Sequence, residues 1–414
     1  MTMTTEFDRL LRVVLEAEGP QAVPPGLVDV ALMDARAIDQ RRPLVRVLDR
    51  GAWPAPARAG TGVELTLVAV VGIVVVAMFG TALSGGQPVP PVISASPSPS
   101  SSSAPPSPSP TRPIVADDEP WIVLIADTAA GYGVHLVRPD GSDLHRWPVV
   151  IPGTQEHPDW SPDGRQLVID TLDGSGVRDL WIANADGSDA RPVVDCVDPC
   201  KWVDEPAWSP DGASIAFQRV VLGDLGTMTS TLEILDVASG ATRVVLTMPT
   251  RQVLLAPRWA PDGRRLVVEV ARLPEDSYLV EPDGGAIGMV DLASEEPTVQ
   301  LLTEMASFGQ TPDWSPDGEW IVWASSVDGD PGHTELVRSR PGGTDPRPVT
   351  TVVPNGAAAA DPTYTPDGTR ILFTLVTADG DGRLMSIAPD GTDLRSATGD
   401  VDTFGGWPRL RPQP

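Results

Sequence analysis

The chain has 414 residues, of which 56 are acidic and 30 are basic, so its formal net charge is −26. Such an acidic chain repels polyanions, which disfavours nucleic acid and anionic lipid surfaces as ligands. With only two cysteines and four histidines, it offers few residues for a catalytic triad or a metal cluster.

The first segment, residues 1–62, is predicted to be a short helical region. Apolar side chains recur at helical spacing over residues 4–18, and Gly19-Pro20 ends the pattern. A second helix is predicted from near Pro25 to Arg42. Two short helices are marginal alone, so this segment either fluctuates as a cytoplasmic tail or docks on a cytoplasmic partner, such as a sigma factor. It contains no His or Cys, which excludes a zinc-binding anti-sigma domain.

Residues 63–83 are predicted to form one transmembrane helix. The stretch 65–83 carries no charged side chain, and about 20 apolar residues span a bilayer. No Lys or Arg follows it until Arg112, whereas the arginines nearest before it are Arg41, Arg42, Arg46, Arg50 and Arg58. The positive-inside rule therefore predicts a cytoplasmic N-terminus and an extracytoplasmic remainder. A cleaved signal peptide is disfavoured, because the preceding leader is much longer than about 30 residues.

Residues 84–115 are predicted to be a disordered stalk. Ten of these 32 residues are Pro and ten are Ser, a composition that cannot build a packed core. In polyproline II form such a segment reaches at most about 100 Å. We expect it to hold the following domain away from the membrane.

The remainder, residues 116–414, contains one phrase five times, as PDWSPDG, PAWSPDG, PRWAPDG, PDWSPDG and PTYTPDG. Self-similarity at a period of about 50 residues indicates one supersecondary unit copied several times. Units of that size cannot bury their own apolar faces, so the copies must pack on one another. The recurring aromatic residues are Trp160, Trp208, Trp259, Trp314 and Tyr364.

Each copy predicts a strand, a tight turn and a second strand. Pro presets φ in the Pro-Asp-Gly turn, and Gly accepts the positive φ that closes a hairpin. The turn residues are Asp163, Gly164, Asp211, Gly212, Asp262, Gly263, Asp317, Gly318, Asp367 and Gly368. Calcium ligation by these aspartates is disfavoured, because they fall one per unit whereas Ca²⁺ needs about six to eight oxygens around one ion.

A second turn-bearing phrase follows each copy by some twenty residues, for example LWIANADGSDARPV from Leu180. Two hairpins per period give four antiparallel strands, and a closed ring of such units is an all-β propeller. Residues 121–149 match the later part of a unit without its first strand, and residues 404–412, which contain Trp407, supply that strand. This predicts ring closure and a six-bladed β-propeller, in which the recurring aromatics pack between blades.

The repeats resemble those of the TolB family of propellers. There too an aromatic residue is followed by Ser or Ala, then by Pro-Asp-Gly and an apolar strand. The resemblance covers about residues 116–414 and implies a six-bladed fold. It also implies an adaptor role in an envelope assembly, without indicating a particular partner.

The two cysteines, Cys196 and Cys200, lie in the sequence CVDPC. This segment is predicted to be extracytoplasmic, where disulfides persist. A small disulfide-closed loop is therefore expected, since a zinc site needs four ligands.

No catalytic, cofactor-binding or metal-ligating residue is assigned, because no hydrolase, metalloprotease, phosphate-loop or sialidase motif occurs. The predicted function is a membrane-anchored extracytoplasmic scaffold or adaptor that binds a protein, a peptide or a cell-wall polymer at one mouth of the propeller. One alternative is a transmembrane sensor that signals through residues 1–62 in an anti-sigma-like manner. Another is a hydrolase or lyase in the channel, which clustered acidic and His side chains at one mouth would indicate.

Overall fold

The structure, a computed structural model, describes residues 119–128, 130–223, 228–274, 282–327, 329–350, 357–377, 382–398 and 405–413. The predicted cytoplasmic helices, transmembrane helix and stalk lie outside these residues. In the described part of the chain, no helix has the length and apolar character needed to cross a membrane.

The described residues are almost entirely β-structure, as the alternating apolar runs predict. In chain order the strands are β1 Ile122–Thr128, β2 Gly131–Val137, β3 His145–Arg146, β4 Thr154–Trp160, β5 Gln166–Leu172, β6 Arg178–Asn184, β7 Arg191–Val194, β8 Cys200–Trp208, β9 Ser214–Leu222, β10 Met228–Asp236, β11 Thr242–Thr247, β12 Gln252–Trp259, β13 Arg265–Arg272, β14 Gly284–Asp291, β15 Val299–Leu301, β16 Gln310–Trp314, β17 Ile321–Val327, β18 Asp330–Ser339, β19 Arg347–Pro348, β20 Ala358–Tyr364, β21 Ile371–Val376, β22 Gly382–Ile387, β23 Arg395–Ser396 and β24 Gly405–Leu410. A short 3-10 helix, Met305–Ser307, follows β15.

These strands form six antiparallel four-stranded blades. Blades 1 to 5 are β4–β7, β8–β11, β12–β15, β16–β19 and β20–β23, and blade 6 combines β24 with β1–β3. A single parallel pairing, between Arg178 and Trp202, links blades 1 and 2. The predicted all-β propeller is thus confirmed.

The ring is closed by the two ends of the domain. The innermost strands β4, β8, β12, β16, β20 and β24 each contact the next, and β24 contacts β4. Strand β24 pairs with β1, and Trp407 packs on the apolar cluster that contains Trp121.

The register of the closing strand is defined by its pairing with β1. Trp160 pairs with Leu167 in blade 1, whereas in blade 6 the equivalent partner of Ile122 is Leu410. Leu410 therefore takes the place of the recurring aromatic, and Trp407 lies three residues earlier. The reason is Pro408: Trp407 precedes a proline as His157 precedes Pro158, and this X-Pro step sets the register.

The apolar core lies between blades. Alternate side chains of β5 face opposite neighbours, with Leu167 and Ile169 in the interface with blade 6 and Val168 in the interface with blade 2. Each recurring aromatic packs into the interface with the preceding blade. Two of them also bond across it: Trp160 Nε1 donates to the Arg409 carbonyl at 3.2 Å, and Trp259 Nε1 donates to the Ala207 carbonyl at 3.1 Å.

The Pro-Asp-Gly turns use their aspartates locally. Asp163 Oδ1 accepts the Ser161 hydroxyl at 2.6 Å and the Arg165 N–H at 3.1 Å. Asp211, Asp317 and Asp367 repeat this pattern, and Asp262, which follows Ala260, accepts the Arg264 N–H. The turn glycines have φ between 67° and 71°, a range in which a Cβ is strained.

Cys196 and Cys200 are joined in a disulfide in the loop between blades 1 and 2. Cys200 is the first residue of β8. The Arg219 Nη1 atom lies 3.5 Å from Cys200 Sγ. The disulfide therefore anchors the start of an innermost strand.

Arg411, directly after β24, locks the closing strand to blade 1. Only 1% of this residue is exposed. Its Nε donates to the Gly164 carbonyl at 2.7 Å, its N–H donates to the Trp121 carbonyl at 2.7 Å, and its guanidinium lies over the Trp160 ring. A buried cation is tolerated here because carbonyls and an aromatic face surround it.

Candidate functional site

Each innermost strand contains the same irregularity, a non-glycine residue with positive φ directly before a proline. These six bulge residues have φ between 45° and 52°: His157, Glu205, Ala256, Thr311, Asp361 and Trp407. The strand pairing shifts register beside every one of them. Left-handed backbone costs a non-glycine residue about 1–2 kcal/mol, and β-bulges re-aim side chains. The strain is therefore repeated at one level around the central axis.

Carboxylates from the preceding blade hold several of these bulges. Glu269 Oε2 accepts the Thr311 N–H at 3.0 Å, and Asp361 Oδ2 accepts the Trp407 N–H at 3.3 Å. Glu205 Oε2 likewise accepts the Ala256 N–H. The bulges thus draw acidic side chains to the axis, near the mouth at which the innermost strands begin. We call this the strand-start mouth; the Pro-Asp-Gly turns lie at the other end, the turn mouth.

On blade 1 the acids are balanced by cations. His157 Nδ1 lies 2.6 Å from Asp170 Oδ1, and its ring meets Trp407 edge-on at 4.5 Å. Arg178 bonds both Asp170 and Glu156, the latter at 2.6 Å. Burial by itself would lower the pKa of His157, but the charge of Asp170 and the hydrogen bond to it raise that pKa to about 9. His157 is therefore an imidazolium at neutral pH.

Glu156, His157 and Asp170 have ligand atoms within 4.8 Å of one another. A metal ion there would have to displace Arg178 from both carboxylates and the proton from His157 Nδ1. Metal ligation needs deprotonated, available donors. The donor set is already satisfied by protein cations, so this cluster is an ion-pair network and not a metal centre.

Four further acids near the same mouth form no ion pair with any other described residue: Asp204, Glu205, Glu269 and Asp361. Burial first, and then the charges of Glu205 and Asp361, raise the pKa of Glu269 to about 8. Burial and Glu205 raise the pKa of Asp204 despite the opposing effect of Arg178. Burial raises the pKa of Asp361 to about 6, although the Trp407 N–H and Arg409 act against it. These acidic groups from three blades thus share an environment in which burial and their neighbours disfavour ionisation.

The layer two residues beyond the bulges is charge-balanced. It contains Asp159, Arg258, Asp313 and Arg409, with Arg409 Nε 3.7 Å from Asp159 Oδ1. Asp159 accepts the Trp208 N–H, and Asp313 accepts the Tyr364 N–H, both at 2.8 Å. These aspartates therefore link neighbouring blades by hydrogen bonds. The acids described above, which form no ion pair with another described residue, lie nearer the strand-start mouth.

Of the residues singled out from the sequence, Trp407 is one of the six bulge residues, and the predicted site residues lie elsewhere. The recurring aromatics lie between blades, the Asp-Gly turns lie at the turn mouth, and the disulfide borders the strand-start mouth. The sequence signal for the bulges is the proline that opens every repeat. The residue before it, from His157 to Trp407, occupies the bulge in all six innermost strands.

Comparison with known proteins gives one family match and several similar proteins. The TolB beta propeller domain family matches residues 205–398. The Tol-Pal system protein TolB of Rhizorhabdus wittichii is 37% identical over 82 residues, which are 19% of this chain and 17% of that protein. An uncharacterized peptidase of Bacillus subtilis, YuxL, is 25% identical over 201 residues, 41% of this chain and 29% of that protein. The chain thus spans less than a third of either relative.

Among solved structures, the crystal structure of TolB from Acinetobacter baumannii matches with a TM-score of 0.53 and 16% identity, covering 72% of this chain and 68% of that one. At that identity the match supports the fold alone. It agrees with the family match and with the sequence phrase that recurs in five of the six blades. Over residues 205–398 this chain matches the TolB beta propeller domain family, and its described residues form a propeller similar to that of TolB.

Proposed function

We propose that this protein is an extracytoplasmic binding scaffold whose strand-start mouth recognises a segment of a partner protein or peptide. The observation that carries the proposal is the set of six strained bulges, which place chemically diverse side chains at one level of the axis. Such strain persists where the surrounding structure enforces it, commonly at functional sites. Loops from all blades also converge at a propeller mouth, which favours binding there.

Site-specific photo-crosslinking in the native host tests this proposal. A photoreactive residue at Ser175, in the exposed turn between β5 and β6 at the strand-start mouth, is expected to capture a discrete partner. The matched control is Glu295, in the exposed turn between β14 and β15 at the turn mouth. Equal capture at both positions, or capture at Glu295 alone, would contradict the proposed surface.

The same proposal includes a membrane anchor, with residues 63–83 crossing once and the N-terminus in the cytoplasm. It is supported by the uncharged stretch 65–83 and by the arginines that precede it. Reporter fusions after residue 60 and after residue 414 test the topology. We expect cytoplasmic activity from the first and extracytoplasmic activity from the second, and the reverse pattern would overturn the orientation.

A channel hydrolase or lyase is the second candidate, favoured by one observation. His157 is held by Asp170 at 2.6 Å inside a cluster of acidic side chains, an arrangement that can serve acid–base catalysis. Against it, Arg178 already saturates Asp170, and in the described residues no serine or cysteine is bonded to His157. A His157→Gln variant that loses a peptidase or lyase activity shown by the wild-type chain would establish this candidate. Unchanged activity would remove it.

A further inference from the structure

Two carboxyl or amide oxygens beside the strand-start mouth have no hydrogen-bond partner among the described residues. They are Asp204 Oδ1 and Gln218 Oε1, whose residues face each other directly across β8 and β9. Gln218 is only 2% exposed. Its Nε2 donates to Ser230 Oγ at 3.2 Å on the far strand β10, which leaves Oε1 on the side of Asp204. A buried acceptor without a donor costs about 1–3 kcal/mol, so both oxygens indicate a missing donor.

The unbalanced acids lie around the same place. Glu205 follows Asp204 in β8, and its negative charge is felt by Glu269 of blade 3 and by Asp361 of blade 5. Glu205 Oε2 accepts the Ala256 N–H, and Glu269 pairs with the neighbouring Leu255, so these two acids lie close together. Arg178 and His157, which act on Asp204, are already committed to Asp170 and Glu156, and Arg409, which acts on Asp361, lies beside Asp159. The mouth thus combines acidic groups that form no ion pair with another described residue and two acceptors without a donor.

The spacing of these acids favours an organic cation over a metal ion. Among the described residues, only Glu156, His157 and Asp170 bring three ligand atoms within 4.8 Å of one another. Asp204, Glu205, Glu269 and Asp361 do not, whereas Ca²⁺ or Mg²⁺ would need their oxygens on one centre. A guanidinium carries five N–H donors in a rigid plane and can reach several separated acceptors at once.

We propose that the strand-start mouth receives an arginine side chain of the partner polypeptide, with Asp204, Glu205, Glu269 and Gln218 Oε1 as its acceptors. This inference rests on the proposed function and names the chemistry of its recognition. Binding is coupled to proton release, because a guanidinium favours the ionised form of carboxyls that burial holds partly protonated.

Isothermal titration calorimetry on the full chain in mild detergent tests the proposal with two probes. One is the peptide acetyl-Gly-Ala-Arg-Ala-Gly-amide, and the other has citrulline, a neutral isostere, in place of arginine. We expect the arginine peptide to bind about tenfold more tightly at low salt, since hydrogen bonds to charged groups outweigh neutral ones. We also expect its binding enthalpy near neutral pH to change with the ionisation enthalpy of the buffer, which reports released protons.

Matched variants locate the site. Glu269→Gln and Asp204→Asn should each remove most of the preference for arginine, whereas Glu295→Gln, the same charge change on an exposed turn, should leave it intact. Equal affinity for both peptides, an unaltered preference in the mouth variants, or Ca²⁺ binding that excludes the arginine peptide would overturn the inference. If crosslinking from Ser175 still captures a partner, then only the arginine chemistry fails. If arginine binds but no partner is captured, the proposed function fails instead.

Discussion

At the scale of single residues, position decides charge in this domain more than residue type does. Asp211 lies in a turn where the Ser209 hydroxyl and the Ala213 N–H lower its pKa. Glu269 lies at the axis, where burial, Glu205 and Asp361 raise its pKa to about 8. The first carboxyl is ionised at neutral pH and the second is mostly protonated, so only the second can respond to pH near neutrality.

Stability is expected to fall as pH rises from 6 to 9. The folded-state pKa of Glu269 exceeds its unfolded value, so the folded state holds a proton that the unfolded state has lost, and rising pH favours unfolding. His157 acts in the same direction, because its stabilising charge is complete below about pH 6.5 and is lost as pH passes about 9. Urea titrations of the full chain, followed by tryptophan fluorescence, measure this fall.

The Glu269→Gln variant isolates one contributor to that fall. Gln cannot ionise, so we expect a shallower pH dependence and, at about pH 9, a variant more stable than wild type by about 2 kcal/mol. The loss of the Oε2 acceptor for the Thr311 N–H is compensated by the amide oxygen. Glu295→Gln, on an exposed turn, serves as the control with unchanged dependence. A variant that follows the wild-type pH curve would contradict the assigned burial of this carboxyl.

At the scale of elements, a buried arginine and a disulfide hold the ends of two innermost strands. Strand β24 is held to β1 by pairing and to blade 1 by Arg411, while the start of β8 is held by the Cys196–Cys200 disulfide. Arg411 and the disulfide both act on innermost strands, which carry the bulge residues. The geometry of the mouth therefore depends on them although neither touches the axis.

Replacing Arg411 should destabilise the closing strand. In Arg411→Ala the Gly164 carbonyl loses its donor and a buried space opens beside Trp160, so we expect a loss of about 3 kcal/mol. The exposed Arg395→Ala is the matched control and should change stability by less than about 0.5 kcal/mol. Chemical denaturation of both variants is the measurement, and equal midpoints would show that Arg411 does not lock the ring.

Removing the disulfide should weaken the start of β8. The double change Cys196→Ser and Cys200→Ser frees a small loop, and the chain-entropy relation gives a loss of about 2 kcal/mol. We expect wild type with reductant to match the double variant. A midpoint that is insensitive to both treatments would show that β8 is positioned without the covalent link.

At the scale of the whole molecule, stability depends on closure of the ring. Deleting residues 405–414 leaves β1 as an unpaired edge and removes one innermost strand from the axis. We expect the truncated chain to lose its single cooperative transition and to self-associate. Differential scanning calorimetry and size-exclusion chromatography measure both effects, and a monomer with an unchanged melting profile would contradict a closed ring.

Most of the fold could be predicted from sequence, because the repeated Trp-Ser-Pro-Asp-Gly phrase encodes turn geometry and packing in adjacent letters. The closing strand was predicted as well, whereas its register was not: Leu410, and not Trp407, takes the place of the recurring aromatic. The mouth could not be predicted in this way. Its members, such as Asp204, Glu269 and Asp361, differ in type, lie on separate blades, and meet only when the ring closes.

The repeated bulge has a consequence for how this domain can change. Backbone shape at the six positions is nearly the same whether the residue is His157, Ala256 or Trp407, so the residue before the proline can vary in type without a change in the bulge. Ala256 is only 2% exposed and the Thr311 hydroxyl is buried, so a larger side chain at either position would have to displace its neighbours. Within one ring, the same strand path thus presents an imidazole, carboxyl groups, a methyl group, a hydroxyl and an indole at one level of the axis.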